Sequence, residues 1–326
     1  MNTNDITWFV VVNPHAGSGK TLTQWAKAEV LLQSKGVNFI SAMTGGGYNV
    51  MTLTEKAAME GYRNFIAVGG DGTVHDALAG IMSFVDKHSA SLKDFTIGVI
   101  PIGSGNDWIR SHGIPHDLDL ITDLIAQGSF IRQDIVRASV WNGKPMDGEA
   151  ENYSYMLNVG GVAFDAKICE RVNWQKAKGM KGKVLYVRAL VYMLFHSRFY
   201  GMTVDFDGKR VFDGRMFSCA FGVGKYSGGG MRQTPDAVLD DGKVDVTLIP
   251  SRVFPWIVFH VYKLFTAKFL TVPRLIFGKV KEAVLLPKDY GCSPIVEVDG
   301  EVVGSLPMKV EVLPEQVRVL HRKSKK

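Results

Sequence analysis

Three acidic turns and glycine-rich loops hold the residues with the most chemical potential in this sequence. Asp299-Gly300-Glu301 sets two carboxylates around a glycine, between two apolar runs. In an extended segment residues i and i+2 share a face, so both acids would point the same way and could share a cation or diverge in pKa. An ordinary hairpin turn is the other reading, because Asp-Gly is a common turn pair. Gly69-Gly-Asp-Gly-Thr73 places one carboxylate, Asp71, among glycines at the end of an apolar run, where it could approach a metal or phosphates. Asp240-Asp241-Gly242 offers carboxylates and carbonyls on a tight turn, as a hard oxygen-seeking cation prefers; it too reads as a hairpin turn.

Two further glycine loops, Asn13–Gly19 and Gly103–Asn106, resemble neither standard nucleotide fingerprint. Pro14 stands where a Walker loop needs glycine, and Trp108 where a dinucleotide loop needs its third glycine. Their positions matter more than their patterns. Each follows a strand-like apolar run, as does Gly69–Gly72. In open parallel sheets ligands bind outside the carboxyl ends of the strands. Glycine lets a backbone approach phosphate, and the helix that follows adds oriented N–H donors. Three such loops predict one convergent phosphate site.

The elements that must position these loops are legible. Strand patterns at Ile6–Val12, Val37–Met43, Phe65–Val68 and Phe95–Ile100 alternate with helical spacing over Thr21–Gln33, Val50–Glu60 and Thr73–Val85. That alternation predicts an α/β domain over residues 1–135, a parallel sheet with helices on both faces. From about residue 130 strand-like runs dominate: Ile131–Val140, Tyr153–Val159, Gly201–Phe206, Arg215–Val223, Val244–Ile249, Val280–Leu286, Ile295–Val298 and Met308–Leu313. They predict an all-β sandwich over 136–313, interrupted by helical stretches Lys183–His196 and Val253–Phe269, then a C-terminal strand and basic tail over 314–326.

Composition sets bounds. The 326 residues are 46% hydrophobic and 21% charged, which suits about two globular domains and excludes a disordered chain. The net charge of +6 favours an acidic partner such as a nucleotide or anionic membrane but is too diffuse to argue for nucleic acid. Three scattered cysteines suit a reducing cytosol and leave no zinc spacing. The N-terminus has no basic region of a secretory signal, and Lys263, Lys268 and Arg274 interrupt the longest apolar stretch, so no membrane span is expected. Lys167–Arg188 carries seven basic residues and one acid; with Gly179 and Gly182 it reads as a mobile basic loop, and Lys176, Lys178 or Lys181 could reach a phosphate. Arg252–Lys281 has six basic residues, no acid and many aromatics, as suits either a membrane-interface segment or a helix packed on the sheet.

Taken together, Asn13-Pro14 with Gly17-Ser18-Gly19, Gly69-Gly-Asp-Gly-Thr73 and Pro101-Ile-Gly-Ser-Gly-Asn-Asp107 resemble the diacylglycerol kinase catalytic domain. The likeness continues through Asn158-Val-Gly-Gly-Val-Ala-Phe-Asp165, Gly228-Gly-Gly-Met231, Pro235-Asp-Ala237, Asp240-Asp-Gly-Lys-Val-Asp245 and Val298-Asp-Gly-Glu301. It covers residues 8 to 320, and the length fits the soluble bacterial lipid kinases of that family. The resemblance implies an ATP-binding α/β domain, a lipid-binding β-sandwich and an active site in the cleft between them. It implies an ATP- and magnesium-dependent kinase that passes the γ-phosphoryl group to the hydroxyl of diacylglycerol or a related lipid alcohol.

Carried over by position, Asn13, Pro14, Gly17, Ser18 and Gly19 would border the nucleotide, and Thr44 would touch it. Gly69, Gly70, Asp71, Gly72 and Thr73 would cradle its phosphates, and Ser104 would supply a hydroxyl where relatives usually have threonine. Asp241, with the backbone of Val244 and Val246, would hold a structural Mg2+. Asp299 and Glu301 would be the catalytic carboxylates. Phosphoryl transfer needs placement, charge neutralisation and a base. Asp299 suits the base and Glu301 an orienting or magnesium-binding role, though the two could be exchanged. This chain departs from the pattern at His75-Asp76, where relatives usually have Asn-Glu, and at Gly47-Tyr48-Asn49, where they often have Gly-His-Ala. The expected setting is cytoplasmic, peripheral to the inner face of the membrane, and an exposed strand edge could pair two sandwiches into a homodimer. The alternatives are a kinase of soluble substrates, like the NAD kinases that share Gly-Gly-Asp-Gly, and a lipid-binding protein without catalysis.

Overall fold

The structure, a computed structural model, describes residues 6–102, 106–180, 184–252, 254–266 and 269–322. The chain divides into two compact units, one of residues 1–133 with 315–326 and one of 134–314.

The first unit is built on β1 (Thr7–Val12), α1 (Thr21–Ser34), β2 (Asn38–Met43), α2 (Val50–Met59), β3 (Asn64–Gly69), α3 (Asp71–His88), β4 (Thr96–Pro101), α4 (Asp107–Ser111), α5 (Leu118–Ala126) and β5 (Phe130–Gln133). Its six-stranded sheet runs β2-β1-β3-β4, then the chain's last strand, Val317–Leu320, then β5. That last strand is parallel to β4 and antiparallel to β5. The C-terminus therefore completes the first unit, a place that the apolar pattern alone does not give it. β1, β3 and β4 are almost wholly buried, as central strands covered by helices must be. α3 buries Val74, Ala77, Leu78 and Ile81 at helical spacing. Asn49 opens α2 with a reciprocal capping box to Thr52, which accounts for the departure at Gly47-Tyr48-Asn49.

The second unit comprises β6 (Val136–Val140), β7 (Asn152–Met156), β8 (Val159–Ala163), α6 (Phe164–Ala177), α7 (Val184–His196), β9 (Tyr200–Phe206), β10 (Lys209–Gly222), β11 (Val244–Pro250), α8 (Phe254–Val261), β12 (Ile276–Val280), β13 (Glu282–Pro287), β14 (Ile295–Val298), β15 (Glu301–Ser305) and β16 (Met308–Val312); Val317–Leu320 is β17. The eleven strands β6–β16 form one antiparallel sheet in the order β15-β14-β8-β10-β9-β13-β16-β6-β7, with β11 beside β10 and β12 beside β11. Alternating residues such as Val136, Ala138 and Val140, Val244, Val246 and Leu248, and Val296 and Val298 fill a single sandwich core.

Several expected elements differ. The run Ile131–Val140 is two strands, because the chain passes from one unit to the other at Asp134, whose carboxylate accepts from Gly242 N at 2.7 Å. Tyr153–Val159 splits into β7 and β8, and the expected strand Val280–Leu286 is β13, starting at Glu282, with an unexpected β12 before it. Within Val253–Phe269 only Phe254–Val261 is α-helix; single 3-10 turns follow at Tyr262–Phe265 and Phe269–Thr271. The expected basic loop is mostly helix: α6 runs to Ala177, with Phe164, Ile168 and Val172 buried against α7 and Phe217. Its lysines hid that periodicity. Lys178 lies 4.3 Å from the Trp174 ring, and Lys181 falls outside the described residues.

Candidate active site

In the first unit Gly17, Gly69–Gly70, Ile102 and Asn106 meet at the carboxyl ends of β1, β3 and β4; Gly103–Gly105 fall outside the described residues. Gly17 has φ 57° and lies so close to Ile102 that a Cβ would fall 2.6 Å from its Cγ2. Ile102 N donates to Gly69 O at 2.7 Å, and Asn106 Oδ1 faces Gly70. At Gly69 a Cβ would collide with the Thr73 hydroxyl at 2.1 Å, so this strand-to-helix turn admits only glycine. α3 then begins with no side-chain cap on its N-terminus, the arrangement that favours an anion. Asn13 accepts from His15 N through Oδ1, and Thr44 N donates to Val12 O, which keeps the end of β2 beside the first loop. Pro14 and Gly19 lie on the first loop, while Gly72, expected on a loop, is in the first turn of α3; the Ser18 side chain and all of Ser104 fall outside the described residues.

Asp71 is part of the scaffold here. Its carboxylate accepts from Asp107 N at 2.8 Å and Trp108 N at 3.4 Å, fixing the start of α4. At the departure His75-Asp76, His75 is buried, and burial raises the Asp76 carboxyl above its usual range while His75 works against that.

The second unit presents the acidic turn. Asp299 and Gly300, with φ 50° and 93°, form the two-residue hairpin between β14 and β15. The segment is a turn, so the expectation of an extended stretch with both acids on one face fails. Asp299 receives Leu157 N at 2.8 Å and Asn158 N at 3.0 Å. Glu301 begins β15 and is exposed.

Two acids escape a reading of motifs one at a time. Glu297 is buried under the turn and accepts from Gly300 N at 2.9 Å. Burial raises its carboxyl well above the usual range, against the Gly300 N–H, and Asp165, Asp299 and Glu301 push it further. Asp165, in the first turn of α6, is pushed up to about 6 by burial, although Ser218 Oγ and Gln233 Nε2 donate to it. Gly160 and Gly161 of β8 permit this crowding, since a Cβ on them would strike Glu297 O at 2.7 Å and Asp165 Cβ at 2.5 Å. The Gly-Gly pair was the available signal for Glu297. Cys169 donates to Gly300 O at 2.7 Å, and burial pushes its thiol up.

Beyond Asp165 lies an apolar cavity walled by Phe164, Phe217, Ile257, Leu264 and Phe269. Asp165 and Gln233 are its polar end, and Ser227 Oγ holds Gln233 Oε1 at 2.6 Å. The Gly228–Met231 loop shapes this end: Gly228 packs where a Cβ would meet Met231 and Tyr186.

The third acidic turn is filled by a side chain. Asp241 Oδ2 lies 3.1 Å from Lys279 Nζ and its Oδ1 accepts from Lys243 N, while Val244 and Val246 are buried within the β11 ladder. The residues do not fit the expected Mg2+ at Asp241, Val244 and Val246, because an ammonium already neutralises the carboxylate. Among the described residues, no group of three or more His, Cys, Asp or Glu could hold a metal ion.

The chain is similar along most of its length to known proteins. The family model "Diacylglycerol kinase catalytic domain" matches residues 7–138, and "YegS C-terminal NAD kinase beta sandwich-like domain" matches 159–321. A diacylglycerol kinase of Staphylococcus carnosus is 27% identical over 95% of this chain and 93% of its own length. One from Bacillus subtilis is 24% identical over 97% and 96%. The crystal structure of a diacylglycerol kinase from Bacillus anthracis shares the fold, with a TM-score of 0.69 over 97% of each chain at 20% identity. The two family models, in tandem over most of the chain, place it in the diacylglycerol kinase family of lipid kinases.

Proposed function

We propose that this chain transfers the γ-phosphoryl group of ATP, supplied as its magnesium complex, to the hydroxyl of diacylglycerol or a related lipid alcohol. The nucleotide's phosphates would lie on the converging loops of the first unit, against the uncapped N-terminus of α3. Asp299 would take the hydroxyl proton as the lipid oxygen attacks phosphorus and the bond to the β-phosphate oxygen breaks, leaving ADP and a lipid phosphate monoester. Two backbone donors fix the Asp299 carboxylate in place for that role. Glu301, exposed beside it, would orient the hydroxyl or the nucleotide's metal.

The observation that carries a lipid acceptor is the apolar cavity with one polar end. Its wall is mostly aromatic and aliphatic, with Asp165, Gln233, Thr247 and His260 as its polar groups, a lining that favours hydrocarbon over a soluble dinucleotide. The same unit exposes apolar side chains among basic ones. Phe195 on α7 and Phe259 on α8 are each 68% exposed, near Arg188 and Lys263. No helix among the described residues is long and apolar enough to cross a membrane, so this face would meet an anionic bilayer from one side.

The test is transfer of label from γ-labelled ATP with magnesium to diacylglycerol in mixed micelles, with NAD as the competing acceptor. A labelled lipid, lost in Asp299→Asn, is expected. Label on NAD alone, or full lipid turnover in Asp299→Asn, would overturn the assignment. Phe195→Ser with Phe259→Ser should weaken sedimentation with anionic vesicles while leaving turnover on micellar substrate intact.

A further inference from the structure

The acidic turn of the second unit holds a cation of its own. Lys279 on β12 is paired directly across the ladder with Asp245 on β11. Its Nζ lies 3.1 Å from Asp241 Oδ2, 3.1 Å from Asp236 O and 3.5 Å from Asp245 Oδ2. Two of the ammonium's three N–H donors reach oxygens, Asp241 Oδ2 and Asp236 O, while Asp245 Oδ2 stands at ion-pair distance without a hydrogen-bond partner. Two of the three oxygens belong to carboxylates, and Asp245 is buried. Lys279 is only about one-third exposed, so it is not a loose surface lysine.

We infer that Lys279 is a built-in replacement for a structural divalent cation, and that the Asp236–Asp245 loop is tied to β12 without metal. A divalent ion at the same oxygens would sit within a few ångströms of a positive nitrogen, an arrangement that both desolvation and repulsion oppose. A tethered ammonium also has no loss of translational freedom to overcome, and no chelator removes it. The divalent ion that the reaction uses then arrives only with the nucleotide. The inference holds whatever the acceptor, because its readouts are metal content and melting temperature.

The experiment uses the full chain without nucleotide. After gel filtration, elemental analysis should find well under about one divalent ion per chain, and neither EDTA nor millimolar Mg2+ or Ca2+ should move Tm. Lys279→Met leaves the two carboxylates without their cation. This variant should melt lower and recover by about 2–4 °C or more when millimolar Ca2+ or Mg2+ is added. Lys279→Arg, which keeps the charge, should stay insensitive to metal. The inference fails if the wild-type chain retains about one ion and loses several degrees in EDTA. It also fails if folded Lys279→Met gains nothing from added metal. Should Lys279→Met not fold, the wild-type metal content and the Lys279→Arg response decide the matter.

Discussion

Asp71 and Asp299 occupy corresponding roles in the two units. Each lies in a glycine-containing acidic turn, and each carboxylate receives the N–H groups of two successive residues, Asp107 and Trp108 in one case and Leu157 and Asn158 in the other. Their surroundings differ. Asp71 stands among convergent glycine loops at a helix N-terminus, a setting rich in donors. Asp299 stands beside Glu301 and over buried Glu297 and Asp165, a setting rich in acceptors. One hydrogen-bonding device thus recurs in the surface proposed to bind an anion and in the one proposed to accept a proton.

Separate substitutions should break this comparison, most strongly at the acids. Asp299→Asn is expected to lower kcat on lipid by about 10²–10⁴-fold with little change in KM for ATP. Asp71→Asn should instead raise KM for ATP and cost about 1–3 kcal/mol of stability, since one backbone N–H would lose its charged acceptor. Steady-state kinetics and denaturant titrations of both variants check this; the same kinetic signature in both would erase the distinction.

Next in size come the glycines that allow each close approach. Gly69→Ala and Gly160→Ala each force a Cβ into contacts below 3 Å. Each should cost about 1–3 kcal/mol or more. At Gly69 the obstacle is the Thr73 side chain, so Thr73→Ser should relieve little and Thr73→Gly more. At Gly160 the backbone oxygen of Glu297 cannot yield.

The two units should also respond oppositely to pH. Burial pushes His112 in the first unit down to about 3. Between pH 3 and 6.5 its unfolded form binds more protons, so the stability it gives is full above 6.5 and is lost on acidification. Asp165 and Asp245 in the second unit are pushed up to about 6, and Glu297 is raised further by burial. Their folded forms hold protons that the unfolded chain releases, so stability is fullest below about pH 4 and declines as pH rises through 6. Asp76, also raised, acts against His112 in the first unit. Hydrogen exchange from pH 4 to 8, corrected for intrinsic rates, should show protection rising with pH around His112 and falling around β8 and β14. Glu297→Gln should flatten the second trend. Trends of one sign in both units would sink the argument.

The smallest effect is expected at the surface. Lys35 clasps Asp119 and Asp123, joining α1 to α5. Lys35→Met should cost no more than about 1 kcal/mol in urea, because the partners remain exposed.

Much of this was legible before any coordinates. The loops Asn13–Gly19, Gly69–Gly72 and Gly103–Asn106 announced themselves by glycine after an apolar run, and Gly17 and Gly70 lie against Ile102 and Asn106 beyond β4. The α/β alternation and the Asp-Gly turns were equally plain. Helix α6 was not, because its buried stripe of Phe164, Ile168 and Val172 is diluted by lysines. Nor was the strand Val317–Leu320 assigned to the first sheet, since an apolar run carries no record of which edge it will join.

Local pattern therefore determined the family, the loops and the two classes of architecture, because backbone conformation and side-chain period are set by near neighbours. Tertiary structure decided what each acid does. Asp71 finds its donor 36 residues away, Asp299 finds one 142 away, and Asp241 meets Lys279 across 38. The burial of Glu297 and Asp165 is likewise a property of the closed sandwich, and only there does desolvation shift their protons.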